Sequence, residues 1–301
     1  MGFGALFQAV AALLAPSTTA PALPPLSAHE KAALVVVSGL PAPRGVAGVI
    51  VHDYDRRAPR PRGALVFVDQ EGGTASSFDD LPPGGAAATY AREADARAAG
   101  RATGRALGRA GVDVDLAPVL DLAGGPLGSR HFLRPALAVA FARGLAAAKV
   151  GACAKHFPGL GTAAVSTDQS PHVRARLVPR ELAGFRAAIR AGVPCVMVGH
   201  ASYRGHGHPR ASFDPKMYRR LRRMGFEGVA ITDSVSVFGS DWAVSSARAS
   251  IRAGADLVLF TNGPDARRAI RALVPLARRG LLDRHVARVL ELRHSLGLAS
   301  P

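Results

Sequence analysis

Lys155-His156-Phe157-Pro158-Gly159-Leu160-Gly161 closes an apolar run at 150–154 with a cation, an imidazole and a glycine-bounded turn. Gly228-Val229-Ala230-Ile231-Thr232-Asp233 finishes the same way on a carboxylate. A carboxylate at the end of a buried strand is rigidly aimed and partly desolvated, which suits nucleophilic attack on an electrophilic carbon such as an anomeric centre. The plain alternative is an N-cap for the next helix. A third run ends in Val68-Asp69-Gln70-Glu71-Gly72-Gly73. There, ionised Asp69 is an acceptor with two oxygens, able to take two neighbouring hydroxyls or to cap a turn, and Glu71 reads as a brace for the loop. Arg130, within Gly128-Ser129-Arg130-His131-Phe132, carries a donor fork suited to hydroxyls or a carboxylate, or is one more surface arginine. His200, after Val198-Gly199, is a ligand contact or a core histidine satisfied by backbone.

Groups at strand ends need strands that end together. Eight apolar runs satisfy this: Ala33–Val37, Val49–His52, Ala64–Asp69, Val112–Leu116, Gly151–Lys155, Cys195–Gly199, Gly228–Asp233 and Leu257–Thr261. They are near-continuous in Val, Ile, Leu and Ala, as strands covered on both faces require. Amphipathic patterns predict helices at Thr89–Arg109, Arg134–Lys149, Pro179–Ala191, Pro215–Met224, Trp242–Ala253, Pro264–Ala277 and Asp283–Leu296, the last N-capped by Asp283. The alternation predicts an α/β fold, a TIM-like (β/α)8 barrel whose mouth collects the strand-end residues. Its first units are expected to be irregular. The 55–63 link is too short and too rich in Pro and Arg for a helix, which implies antiparallel pairing or a distorted barrel start.

At 301 residues, 48% hydrophobic and 20% charged, one large domain at 28–301 is expected, and a chain too polar to bury a core is excluded. The net charge of +16 is almost wholly arginine, spaced among alanines as on solvated outer helix faces. An anionic polymer such as cell wall is the second reading of that charge. Nucleic acid is the third, and no aromatic-interleaved basic patch or zinc-finger spacing supports it. Cys153 and Cys195 each sit inside an apolar run and read as buried free thiols. Residues 1–27 read as a leader and linker. The apolar run from Gly2 to Ala15 and the small residues after it look like a secretory signal without its basic start, and are too short for a transmembrane span. Secreted, cell-envelope and cytoplasmic locations all stay open. No lipobox cysteine follows the run, which argues against a lipid anchor.

Together the segments resemble glycoside hydrolase family 3, in its single-domain bacterial β-N-acetylglucosaminidase form. The markers are Val68 to Gly73, Ala117-Pro118-Val119-Leu120-Asp121, Lys155 to Gly161, Gly228 to Asp233 and Val289-Leu290-Glu291-Leu292-Arg293. The resemblance implies a retaining glycosidase that releases terminal β-N-acetylglucosamine from cell-wall-type saccharides. Asp233 would be the nucleophile, with Asp69, Arg130, Lys155 and His156 gripping the sugar. No metal or organic cofactor, no nucleic-acid partner and a monomeric state are expected. Two departures qualify this. The loop where the family carries an Asp-x-His dyad reads Ser166-Thr167-Asp168-Gln169-Ser170-Pro171-His172, with Ser170 in place of the proton-donating histidine. Three readings follow: His172 takes over in a re-registered loop, Asp168 donates the proton itself, or the chain is a sugar-binding pseudoenzyme. Thr74 also stands where the family often has arginine.

Overall fold

The computed structural model describes residues 24–170, 172–205 and 210–299. The leader read at 1–27 therefore lies almost wholly outside the described residues. Eight parallel strands form one sheet: β1 Val36–Ser38, β2 Gly48–Ile50, β3 Leu65–Val68, β4 Val114–Asp115, β5 Gly151–Phe157, β6 Cys195–Val198, β7 Val229–Thr232 and β8 Val258–Leu259. Each pairs with its sequence neighbour, and β1 pairs with β8. A parallel bridge between Ile231 and Leu257 joins β7 to β8, which closes the ring. The architecture is a TIM-like (β/α)8 barrel.

Eight α-helices accompany the strands among the described residues: α1 Ala28–Ala33, α2 Glu93–Arg109, α3 Pro135–Ala147, α4 Pro179–Arg190, α5 Pro215–Arg223, α6 Ala243–Ala253, α7 Gly263–Arg278 and α8 Asp283–Ser295. The barrel start is irregular, as the short 55–63 link implies. No α-helix separates β1 from β2 or β2 from β3. Antiparallel pairing is overturned, however: Gly48, Val49 and Ile50 pair in parallel with Leu65, Val66 and Phe67. The chain returns to the bottom of the ring through the turn at Asp53–Asp55 and an extended stretch, so a covalent link of this length needs no helix.

Two further expectations are corrected. Cys153 and Cys195 are not free thiols: they are partners in register on adjacent strands β5 and β6, 4.3 Å apart at Cα, and form a disulfide. Apolar runs read singly hide such a pairing, because it depends on which residues face each other across strands. Asp283 is not an N-cap; Leu282 holds that place and Asp283 opens α8, where its carboxylate meets Lys31 Nζ at 2.8 Å. The inner core of the barrel is filled by Val37, Leu65, Phe67, Val114, Leu116, Met197, Ile231, Leu259 and the disulfide. A larger apolar shell packs the helices onto the sheet.

Helices α2 and α3 pack through glycines. A Cβ at Gly100 would stand 2.1 Å from the Phe141 carbonyl oxygen, and one at Gly144 would stand 2.4 Å from that of Arg97. Gly108, on the same α2, has open space around it. Gly100→Ala should destabilise the fold by about 2–4 kcal/mol, by forcing two backbones apart. Gly108→Ala should instead stabilise it by roughly 0.5–1 kcal/mol through helix propensity. Chemical denaturation of the two variants measures both.

Candidate active site

The C-terminal ends of the strands surround a cavity of about 500 Å³, inside the roughly 300–1,000 Å³ range of small-molecule sites. Asp69 follows β3, Lys155 and His156 end β5, Asp233 follows β7 and Thr261 follows β8, and all five line it. Glu71, Arg130 and Asp168 complete the polar wall; Ile50, Leu116, Met197 and Leu259 form an apolar one. Strand residues normally alternate faces, yet consecutive Lys155 and His156 both reach the cavity. The β5–β6 register shifts between Ala154 and Phe157, which breaks the alternation there.

Lys155 is buried, with 2% of its side chain exposed, and its Nζ lies 2.5 Å from Asp69 Oδ1 and 2.6 Å from Glu71 Oε1. Arg130 grips Glu71 with both arms of its fork, Nε to Oε2 and Nη2 to Oε1, each at 2.7 Å. Burial pushes the Glu71 carboxyl up, but the adjacent Lys155 and Arg130 more than reverse this and hold it at about 2. Burial likewise works against the Lys155 charge, and Asp69 and Glu71 overcome it, so the ammonium persists across ordinary pH. Glu71 is thus the anchor of two cations on the wall. Its own position in sequence carried only the signal of a second acid two residues after Asp69.

His156 is held from behind. Its Nδ1–H donates to Asp121 Oδ2 at 2.7 Å, and the amides of His156 and Leu160 donate to the same carboxylate at 3.2 and 2.6 Å. This fixes the ring and leaves Nε2 as the atom available to a ligand. Burial opposes a charge on the ring, but Asp121 and then Asp233 outweigh it, so its pKa stands above the usual histidine value. Asp121 was legible as a strand end and nothing more; its role appears only once β5 is seen beside the 116–121 segment, through the Val119–Lys155 bridge.

Burial raises the Asp233 carboxyl, yet nearby imidazoles, the Ser234 amide at 2.8 Å and Lys155 bring it below the usual range. His200 Nε2–H donates to the Ser234 carbonyl at 2.9 Å, Nδ1 accepts from the Ser212 hydroxyl at 2.8 Å, and burial lowers its pKa, so the ring is neutral. It packs 4.6 Å from Phe238 and does not line the cavity. Both ring nitrogens are occupied within the protein, and the side chain holds the backbone that follows Asp233.

The 159–178 loop brings Asp168 to the cavity, where its Oδ2 accepts from the Ser166 hydroxyl at 3.1 Å. His172 is exposed and absent from the cavity wall. Thr74 is exposed as well. Among the described residues no group of three or more His, Cys, Asp or Glu side chains is placed to hold a metal ion, and no helix is long and apolar enough to cross a membrane.

The family model of the glycosyl hydrolase family 3 N terminal domain matches residues 49–292. The chain belongs to glycosyl hydrolase family 3. It is 32% identical over 232 residues to a beta-hexosaminidase of Stenotrophomonas maltophilia strain K279a, covering 68% of this chain and 69% of that protein. It is 34% identical over 238 residues to a beta-hexosaminidase of Alkalilimnicola ehrlichii, covering 70% and 68%. Among solved structures, a family 3 beta-N-acetylglucosaminidase from Paenibacillus sp. FPU-7 superposes with a TM-score of 0.78 at 23% identity, over 92% of this chain but only 64% of that one. A beta-N-acetylhexosaminidase from Beutenbergia cavernae gives 0.78 at 24% identity, over 89% and 99%. At these identities the two structures speak for the fold.

In this family 3 chain the glycines after Phe157-Pro158 have a local cause. Glu181, on α4, is buried beneath the loop and accepts the Gly161 amide at 2.6 Å. Gly159 has φ +128°, and a Cβ there would lie 2.3 Å from Glu181 Cδ. Burial raises the Glu181 carboxyl to about 7, with Asp121 adding to it against the Gly161 amide. A raised carboxyl contributes stability that is complete below the unfolded value near 4.5 and is lost as pH climbs through about 7. Thermal stability of the protein should therefore weaken between about pH 4.5 and 7 and level off above that, and Glu181→Gln, which keeps the accepting oxygen, should flatten that decline.

Proposed function

We propose that the chain is a retaining β-N-acetylhexosaminidase acting on terminal β-N-acetylglucosamine in cell-wall-type saccharides. The observation that carries this is Asp233, ionised at the end of β7, sharing one cavity with Asp69, Arg130, Lys155 and His156. The names of the curated relatives, beta-hexosaminidase, support the sugar. The Asp69 carboxyl, the Lys155 ammonium and the His156 Nε2 face the sugar hydroxyls from one wall. Asp233 then attacks the anomeric carbon as the bond to the leaving oxygen breaks, and a glycosyl–enzyme ester forms. Water attacks that ester, the sugar leaves with the original anomeric configuration, and the carboxylate is regenerated.

Proton transfer falls to Asp168, because it is the titratable side chain of the 159–178 loop that reaches the cavity. As an acid it protonates the leaving oxygen; as a base it takes a proton from the attacking water. General acid–base help is typically worth about 10²–10⁴-fold. Asp168→Asn should therefore cost roughly that much on a cell-wall disaccharide, and far less on a nitrophenyl glycoside, whose leaving group needs no proton. Asp233→Asn should reduce turnover of both by about 10³-fold or more. The decisive measurement is mass spectrometry after incubation with a 5-fluoro glycoside: the peptide carrying Asp233 should gain one sugar.

A second reading rests on Ser170 standing at the dyad histidine and His172 lying off the wall. The chain would then bind the sugar without cleaving it efficiently. Saturable N-acetylglucosamine binding that survives Asp233→Asn, with no labelled peptide and no turnover of the nitrophenyl sugar, would establish that reading instead.

A further inference from the structure

A second concave site lies at the opposite end of the barrel. It is a pocket of about 320 Å³ between α5, the end of α6 and the start of α8. Behind its lining lies Asp256, fully buried just before β8. Arg222 reaches the carboxylate at 2.5 Å and also donates to the Phe226 and Gly228 carbonyls just before β7, which fixes its guanidinium. Arg288 reaches the other oxygen at 3.2 Å. His285 Nδ1 faces the same Asp256 oxygen as Arg288 at 3.0 Å, and its Nε2 accepts from Arg284 Nε at 3.2 Å.

Arg219, Arg223 and Arg284 complete the lining, exposed and with no carboxylate partner among the described residues. Five guanidinium groups thus share one pocket with a single carboxylate, already saturated by two of them and an imidazole. Guanidiniums gathered this way repel each other: burial and the charges of Arg288 and Arg284 all depress the Arg222 pKa, against the pull of Asp256. A bound dianion removes that repulsion, and planar forks on several sides match the oxygens of a phosphate group.

We propose that this pocket binds a phosphate group, as free phosphate, a small phosphorylated compound or the phosphodiester of an anionic polymer. Its α5 arginines precede β7, and its α8 residues pack around Asp256, which precedes β8, whereas the sugar cavity opens after those strands, so a ligand here leaves the catalytic mouth free.

The test is titration calorimetry of the full chain at constant ionic strength, with inorganic phosphate in one arm and poly(glycerol phosphate) in the other. The proposal expects saturable one-site binding of inorganic phosphate, weakened about tenfold or more in Arg219→Ser/Arg223→Ser/Arg284→Ser. Hydrolysis of a nitrophenyl sugar by that variant should match the parent, which shows that the fold is intact. Competition between the two probes would extend the site to phosphodiester polymers, and phosphate binding alone would confine it to free and monoester phosphate. Arg278→Ser/Arg279→Ser, which removes exposed arginines of the α7 end, should leave the affinity unchanged. The proposal falls if neither probe binds saturably, if the pocket variant binds as well as the parent, or if the α7 variant weakens binding equally, since net charge would then explain the effect.

Discussion

The structure of the mouth depends on one ammonium group. Lys155 Nζ is buried between the carboxylates of Asp69 and Glu71, and an uncompensated charge in such a place would cost about 3–5 kcal/mol. The arrangement therefore holds only as a set. Glu71 needs Lys155 and Arg130 to remain ionised, Lys155 needs both carboxylates, and Arg130 is aimed by Glu71. The set ties the loop after β3, the 128–130 turn and the end of β5 into one charged wall. A further acid beneath it, Asp115, is driven the other way: burial, with Asp69 and Glu71 nearby, lifts its pKa well above the usual value.

The barrel supplies the rigidity this needs. Short strands of β-branched and small residues place each polar side chain one residue past a hydrogen-bonded register, where backbone movement is least. Supporting groups come from behind. Asp121 holds His156, and His200 holds the Ser234 carbonyl, so the residues that face the cavity on β5 and β7 are each fixed by a neighbour that does not.

Much of this was legible in sequence because it is local. Strand ends at Asp69, Lys155 and Asp233 follow from apolar runs that stop on charged residues, and the barrel follows from their number and alternation with helices. What depended on facing partners was not legible. The disulfide needs β5 and β6 in register; Glu71 needs Arg130, distant in sequence; His200 needs the Ser212 hydroxyl and the Ser234 carbonyl to show that both ring nitrogens are occupied. Helix α1 is a different case. Ser27 and Glu30 form a capping box that the sequence displays openly, yet the apolar residues after it read equally well as the start of β1, and Ala33 belongs to the helix.

The two halves of glycosidic chemistry are built on different kinds of element here. The groups proposed to bind and to attack stand at strand ends beside buried ion pairs, where a substitution would strand a charge. Asp168, the proposed proton donor, stands on the 159–178 loop, which is tied to its surroundings by contacts such as Gly161 to Glu181, Tyr203 to the Gly159 carbonyl and Ser202 to the Val173 carbonyl. The cost of change differs accordingly. A change at half-buried Ser170 falls on a loop, whereas loss of Lys155 would leave two carboxylates facing each other. A change in the loop can thus alter the proposed proton donor while the wall of Asp69, Glu71, Arg130 and Lys155 stays whole.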